Sequence, residues 1–115
     1  MNVYDQAHAL ARSLKESDQY KEYARLREIA YADQTNSALL DEYKKLQFRL
    51  QAKMASGEQL PDDDMQRLNQ IATLLQLNRE AGEYLLAEFN FQKLLADVFR
   101  ILADVSGINP DMFAR

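Results

Sequence analysis

Apolar residues recur along this chain at spacings of three and four, and nowhere do they alternate in the period of two that marks a half-buried strand. The pattern predicts five helices and no sheet. The first runs from about Val3 to Lys15 on the stripe Val3, Ala7, Leu10 and Leu14. Ser17 offers a side-chain oxygen to cap a second helix, about Asp18 to Ala32, whose inner face is Tyr20, Tyr23, Leu26 and Ala30. A turn at Asp33–Asn36 precedes a third helix from about Ser37 to Ala55, with Leu39, Tyr43, Leu46 and Leu50 in a coiled-coil-like seam. Gly57 is available for a left-handed cap at its end. Pro61 then sets the first turn of a fourth helix that buries Met65, Leu68, Ile71, Ala72 and Leu75. Asn78 caps the fifth, and Gly107 followed by Pro110 ends it.

The fifth helix is unlike the others, because from Glu83 to Ser106 it is apolar on nearly every side. With Phe91, Leu94, Val98, Ile101 and Val105 at heptad positions a and d, Leu95 and Leu102 fall at e and Phe99 at b. From Phe91 onward charge is confined to Lys93, Asp97, Arg100 and Asp104, on a strip roughly 40° wide between the centres of its two rows, at about 100° per residue. A helix apolar all round has to be covered all round. The remaining four helices each have one stripe and must also cover one another, so a second copy of the chain is the expected cover. Phe91, Leu94, Leu95, Val98, Ile101, Leu102 and Val105 are the expected dimer interface, with Asp97, Arg100 and Asp104 setting register or docking a partner. The fold expected is all-α: a multihelical bundle of about five helices, residues 1–115 as one domain, with the long C-terminal helix central.

At 115 residues the chain has room for one small core, which is easier to complete by oligomerising than alone. Its net charge of −4 with both signs interspersed argues against nucleic acid as the main ligand, which needs a clustered basic surface. The absence of cysteine removes disulfides, thiolate metal sites and cysteine nucleophiles. The opening Met-Asn-Val-Tyr-Asp has neither a basic nor an apolar leader pattern, and charges interrupt the most apolar helix. The expectation is a cytoplasmic protein without a membrane partner.

Asp62, Asp63 and Asp64 are the obvious candidates for a divalent cation and, through it, for a small metal-dependent hydrolase. Successive carboxylates on a helix point about 100° apart, however, and acidic residues in a first turn are stabilising without any ion. His8 is the single histidine, at the edge of the first helix's apolar stripe, with no second histidine or placed serine to build a triad. It reads as a packing or interface residue. Glu83 and Glu88 are not matched to the Glu-x-x-His pattern of carboxylate-bridged metal bundles, and no glycine-rich phosphate loop occurs. Lys44, Lys45, Arg49 and Lys53 on the third helix are the basis of an alternative, weak RNA binding. Asp41 and Glu42 dilute their charge, and a solvated helix face is the simpler account. No catalytic residue, metal or cofactor is expected.

The order of elements and the segment from Asn78-Arg79-Glu80-Ala81-Gly82-Glu83-Tyr84 through Leu94-Leu95 resemble the YlbF/YmcA family of small bacterial helical proteins, most closely its YheA-like branch. The likeness extends from Val3-Tyr4-Asp5-Gln6-Ala7 through the Gly57/Pro61 break to the end of the last helix. The resemblance implies a cytoplasmic, all-helical protein that forms intertwined dimers. Some relatives join a multiprotein complex that influences competence, biofilm formation and sporulation and acts with a messenger-RNA-cleaving ribonuclease. Those relatives hold an iron–sulfur cluster through cysteines, so the cluster does not carry over to this cysteine-free chain. The functional expectation is a non-enzymatic regulatory or scaffold protein, linked to development or RNA processing as in those relatives. It would dimerise and present helical surfaces to protein partners, with Tyr20, Tyr23, Tyr31 and the basic third helix as contact surfaces.

Overall fold

A computed structural model describes residues 2–107, and among these every regular element is a helix. Five follow in order: α1 (Val3–Glu16), α2 (Asp18–Ala32), α3 (Gln34–Ala55), α4 (Asp62–Leu77) and α5 (Arg79–Ser106). Pro110, expected behind Gly107 at the end of the last helix, lies outside the described residues.

Single polar residues make three of the four breaks, Ser17, Asp33 and Asn78. Ser17 serves two helices at once: its hydroxyl donates to the Leu14 carbonyl at 2.6 Å and accepts from the Tyr20 N–H at 3.2 Å. Asp33 accepts from the Asn36 N–H at 3.0 Å, so α3 begins at Gln34 rather than Ser37. The expected four-residue turn is one residue long, because an N-cap aspartate needs only its own extended backbone to start the next helix. Gly57 takes a left-handed φ of 78° after α3 and Gly107 one of 71° after α5, conformations that glycine adopts without a Cβ penalty. Pro61 occupies the cap position ahead of α4, one residue earlier than expected, with extended ψ and no side-chain cap bond. Asp62, Asp63 and Asp64 fill the first turn behind it, where the helix dipole favours negative charge.

The chain forms two compact units. One is Glu28–Tyr84; the other comprises Met1–Arg27 with Leu85–Arg115. In the Glu28–Tyr84 unit, α3 and α4 form a hairpin around Leu40, Leu46, Leu60, Leu68, Ile71 and Leu75, all buried, and Leu40, Ile71, Leu75 and Tyr84 have no exposed surface. Buried asparagine also ties its turns together. Asn78 Nδ2 donates to Asn36 Oδ1 at 3.0 Å, while Asn78 Oδ1 accepts from the Ala81 N–H at 3.0 Å and caps α5. A buried amide needs its partners within the fold, and among the described residues no buried side-chain nitrogen or oxygen is left unpaired.

The other unit has a thinner interior. Its buried apolar residues are Leu26, Ala87 and Ala103, and α1 contains no buried residue at all. Leu10 and Leu14 are half-covered, whereas Val3 and Tyr4 are more than three-quarters exposed.

Candidate functional site: an uncovered face of α5

Within the unit that contains Leu85–Ser106, α5 changes character along its length. At its middle Phe91 is held by two tyrosines of α2: it stacks on Tyr23 with ring centres 5.6 Å apart and planes 14° apart, and meets Tyr20 edge-on at 5.3 Å. Leu94, Leu95 and Val98 are half-buried. Beyond them the apolar residues emerge. Ile101 is 66% exposed, Leu102 54% and Val105 89%, and Phe99, Leu102, Ala103 and Ser106 line an open apolar groove of about 310 Å³. On another side of the same helix Leu86 and Phe89 are also exposed.

Of the seven residues expected at an interface, Phe91 is thus engaged inside its own chain, three are half-covered, and Ile101, Leu102 and Val105 are left to water. Arg100 Nη1 donates to Asp97 Oδ1 at 3.0 Å, one turn apart on the helix, with both side chains more than half exposed. An exposed pair of this kind contributes little to stability. Lys93 and Asp104 form no hydrogen bond or ion pair to another side chain among the described residues, so the triad expected from sequence is in the single chain a pair.

The other candidate residues are spent differently. Tyr20, Tyr23 and Tyr31, expected as exposed contact surfaces, are half-buried: the first two hold Phe91, and Tyr31 packs edge-on against Tyr84 at 5.6 Å. Lys44 is removed from the basic face of α3. Its ammonium donates to Tyr84 Oη at 2.5 Å and lies 4.9 Å from that ring's centre and 5.9 Å from the ring of Tyr31. Lys53 pairs with Glu58 at 2.9 Å, and Arg49 approaches Asp64 at 3.8 Å, which leaves Asp62 and Asp63 pointing into solvent. Among the described residues no three His, Cys, Asp or Glu side chains converge as they would to hold a metal ion. His8 is exposed on α1. Phe48, which sequence reasoning passed over, is 73% exposed beside Arg49.

One ion pair between α3 and α4 has good geometry. Arg67 grips Glu42 with two nitrogens, at 2.7 and 2.9 Å, and the guanidinium bond holds the Glu42 carboxyl below its ordinary range and raises Arg67. The Lys53 ammonium lowers Glu58 in the same way.

No helix among the described residues is long and apolar enough to cross a membrane. The helical architecture matches a solved protein of unknown function (DUF964) from Bacillus stearothermophilus with a TM-score of 0.75 over 91% of this chain and 92% of that one, at 19% identity, a likeness of fold alone. In sequence the chain is 37% identical over 103 residues to a UPF0342 protein of Caldicellulosiruptor bescii, covering 90% of this chain and 87% of that one. It is 33% identical over 112 residues to a UPF0342 protein of Caldicellulosiruptor saccharolyticus, covering 97% and 93%. Neither relative carries an enzyme's name. Residues 3–105 match the family model described as "Control of competence regulator ComK, YlbF/YmcA", and the chain belongs to the YlbF/YmcA family.

Proposed function

We propose that this protein is a non-enzymatic regulatory or scaffold protein of the bacterial cytoplasm, which works by pairing with a second copy of itself and presenting helical surfaces to protein partners. The observation that carries the reading is the exposure of Ile101, Leu102 and Val105 at the end of α5, next to half-covered Leu94, Leu95 and Val98. Burying a side chain of this size is worth about 1.5–3 kcal/mol, so leaving three of them wet forfeits a sizeable part of the roughly 5–15 kcal/mol by which a small domain is stable. A second copy offers the same surface and the same need. Residues 1–115 then act as one domain per subunit, completed by association, with Asp97, Arg100 and Asp104 beside the seam.

The family's description as a control of a competence regulator supports a regulatory role exerted through protein contacts. Arg49 approaching Asp64 at 3.8 Å speaks against the enzyme reading, and Lys44 turning inward to Tyr84 against the RNA reading. Light scattering on the purified chain, together with the thermal midpoint over a hundredfold dilution series, tests the reading. A dimer whose midpoint falls on dilution is the expected result. A compact monomer with a concentration-independent midpoint would sink it.

A further inference from the structure

The exposed strip of α5 carries four charges in the order cation, carboxylate, cation, carboxylate: Lys93, Asp97, Arg100 and Asp104. The outer two and the inner two share one midpoint, between Val98 and Phe99. Turning the helix end over end about that point therefore brings Lys93 onto the place of Asp104, and Asp97 onto the place of Arg100. The strip is complementary to its own reversal. A two-fold interface brings one surface patch against itself, so this pattern suits an antiparallel pairing of α5 with α5 of a second copy. A parallel pairing would instead set this strip, on the g side of the seam, against the partner's e side, where Leu95 and Leu102 stand, and leave its charges without partners.

We propose that α5 pairs antiparallel with α5 of a second copy, about a two-fold axis passing between Val98 and Phe99, with the Lys93–Asp104 and Asp97–Arg100 contacts between subunits fixing the register. The proposal rests on the reading of α5 as a self-association surface and adds its direction and alignment. Two further observations favour it. Lys93 and Asp104 have no ion-pair partner among the described residues of their own chain, and at eleven residues apart they are about 16 Å from each other along the helix, too far to meet within it. The same alignment sets Leu95 level with the partner's Leu102, a half-buried leucine against an exposed one.

The chain has no cysteine, so single cysteines report the alignment cleanly. Lys93→Cys and Asp104→Cys proteins, alone and mixed, are treated with a bismaleimide of roughly 8 Å reach, matched to the 8–10 Å spacing of packed helices. The mixture is expected to give cross-linked heterodimer, and neither protein alone to link to itself, because identical positions lie about 16 Å apart in the antiparallel register. Since removing either charge could itself loosen the pair, charge reversal provides a second reading. Lys93→Glu and Asp104→Lys should each weaken self-association roughly tenfold, and mixing the two should restore it, because each reversed charge then meets its opposite. Lys93→Cys linking to itself as readily as the mixture would overturn the antiparallel direction. A dimer by light scattering that shows neither the cross-link nor the charge rescue would overturn the register while leaving self-association standing. A monomeric wild-type chain would remove both.

Discussion

The two compact units solve the same problem to different degrees. In Glu28–Tyr84 one apolar core is enclosed: Leu40, Ile71, Leu75 and Tyr84 have no exposed surface, and the polar groups among them are paired, Asn36 with Asn78 and Tyr84 with Lys44, while Phe48, Met54, Leu74 and Leu77 lie exposed outside it. In the unit of Met1–Arg27 and Leu85–Arg115 the deeply buried residues are Leu26 and two alanines, while Val3, Leu86, Phe89, Ile101, Leu102 and Val105 are exposed. Composition does not account for the contrast, since the less covered unit holds the most apolar helix. What differs is the supply of neighbours. A hairpin of two helices closed by capped turns covers the faces its helices turn to each other, whereas a long helix apolar on most sides outruns the surface one short chain can bring to it.

This contrast can be broken or sharpened by substitution. The largest effect is expected for Leu40→Ala, which opens a cavity in the finished core and should cost about 2–5 kcal/mol, read as a lower urea midpoint. If it costs no more than an exposed substitution, the unit is not the closed core described. Next comes Ile101→Asp. In a monomer this exposed position should tolerate the change within about 0.5 kcal/mol; in the proposed dimer a buried, unpaired charge should yield monomer by light scattering and a lower thermal midpoint. Tyr84→Phe follows. It removes the acceptor of the Lys44 ammonium while keeping the ring under it, and a loss of about 1 kcal/mol is expected. An unchanged denaturation curve would mean the hydroxyl adds nothing beyond the ring's packing.

The smallest effect concerns acid. Glu42 titrates below its ordinary value because of Arg67, so its contribution is present above the unfolded glutamate pKa and is lost as pH falls through the lower, folded one. Both groups face solvent, so the loss should be slight. The acid limb of stability in wild type should be steeper than in Glu42→Gln; identical limbs between about pH 3 and pH 5 would show that the pair contributes nothing measurable.

Much of the fold was legible because it is written locally. Helix period, Ser17, Asn78, Gly57 and the aspartates after Pro61 act within a few residues of themselves, so the pattern found the helices and their ends to within a few residues. The α4 face of Leu68, Ile71 and Leu75 was read correctly for the same reason. The buried ridge of α3 was missed in part. Leu40 is fully buried, but its neighbours on that ridge are Asn36 and Lys44, and two polar residues at helical spacing look like a wet face. Their partners, Asn78 and Tyr84, are 42 and 40 residues away.

Of the candidate site, sequence alone determined that α5 is apolar around most of its circumference and that its charges alternate in sign along one strip. Only the tertiary structure decided which part of that surface is already taken. Phe91 is claimed by Tyr20 and Tyr23, whereas Ile101, Leu102 and Val105 are not covered. The physical reason is that amphipathicity belongs to a single helix and follows from residue order, while coverage depends on which distant side chains arrive, and their arrival is a property of the packed chain.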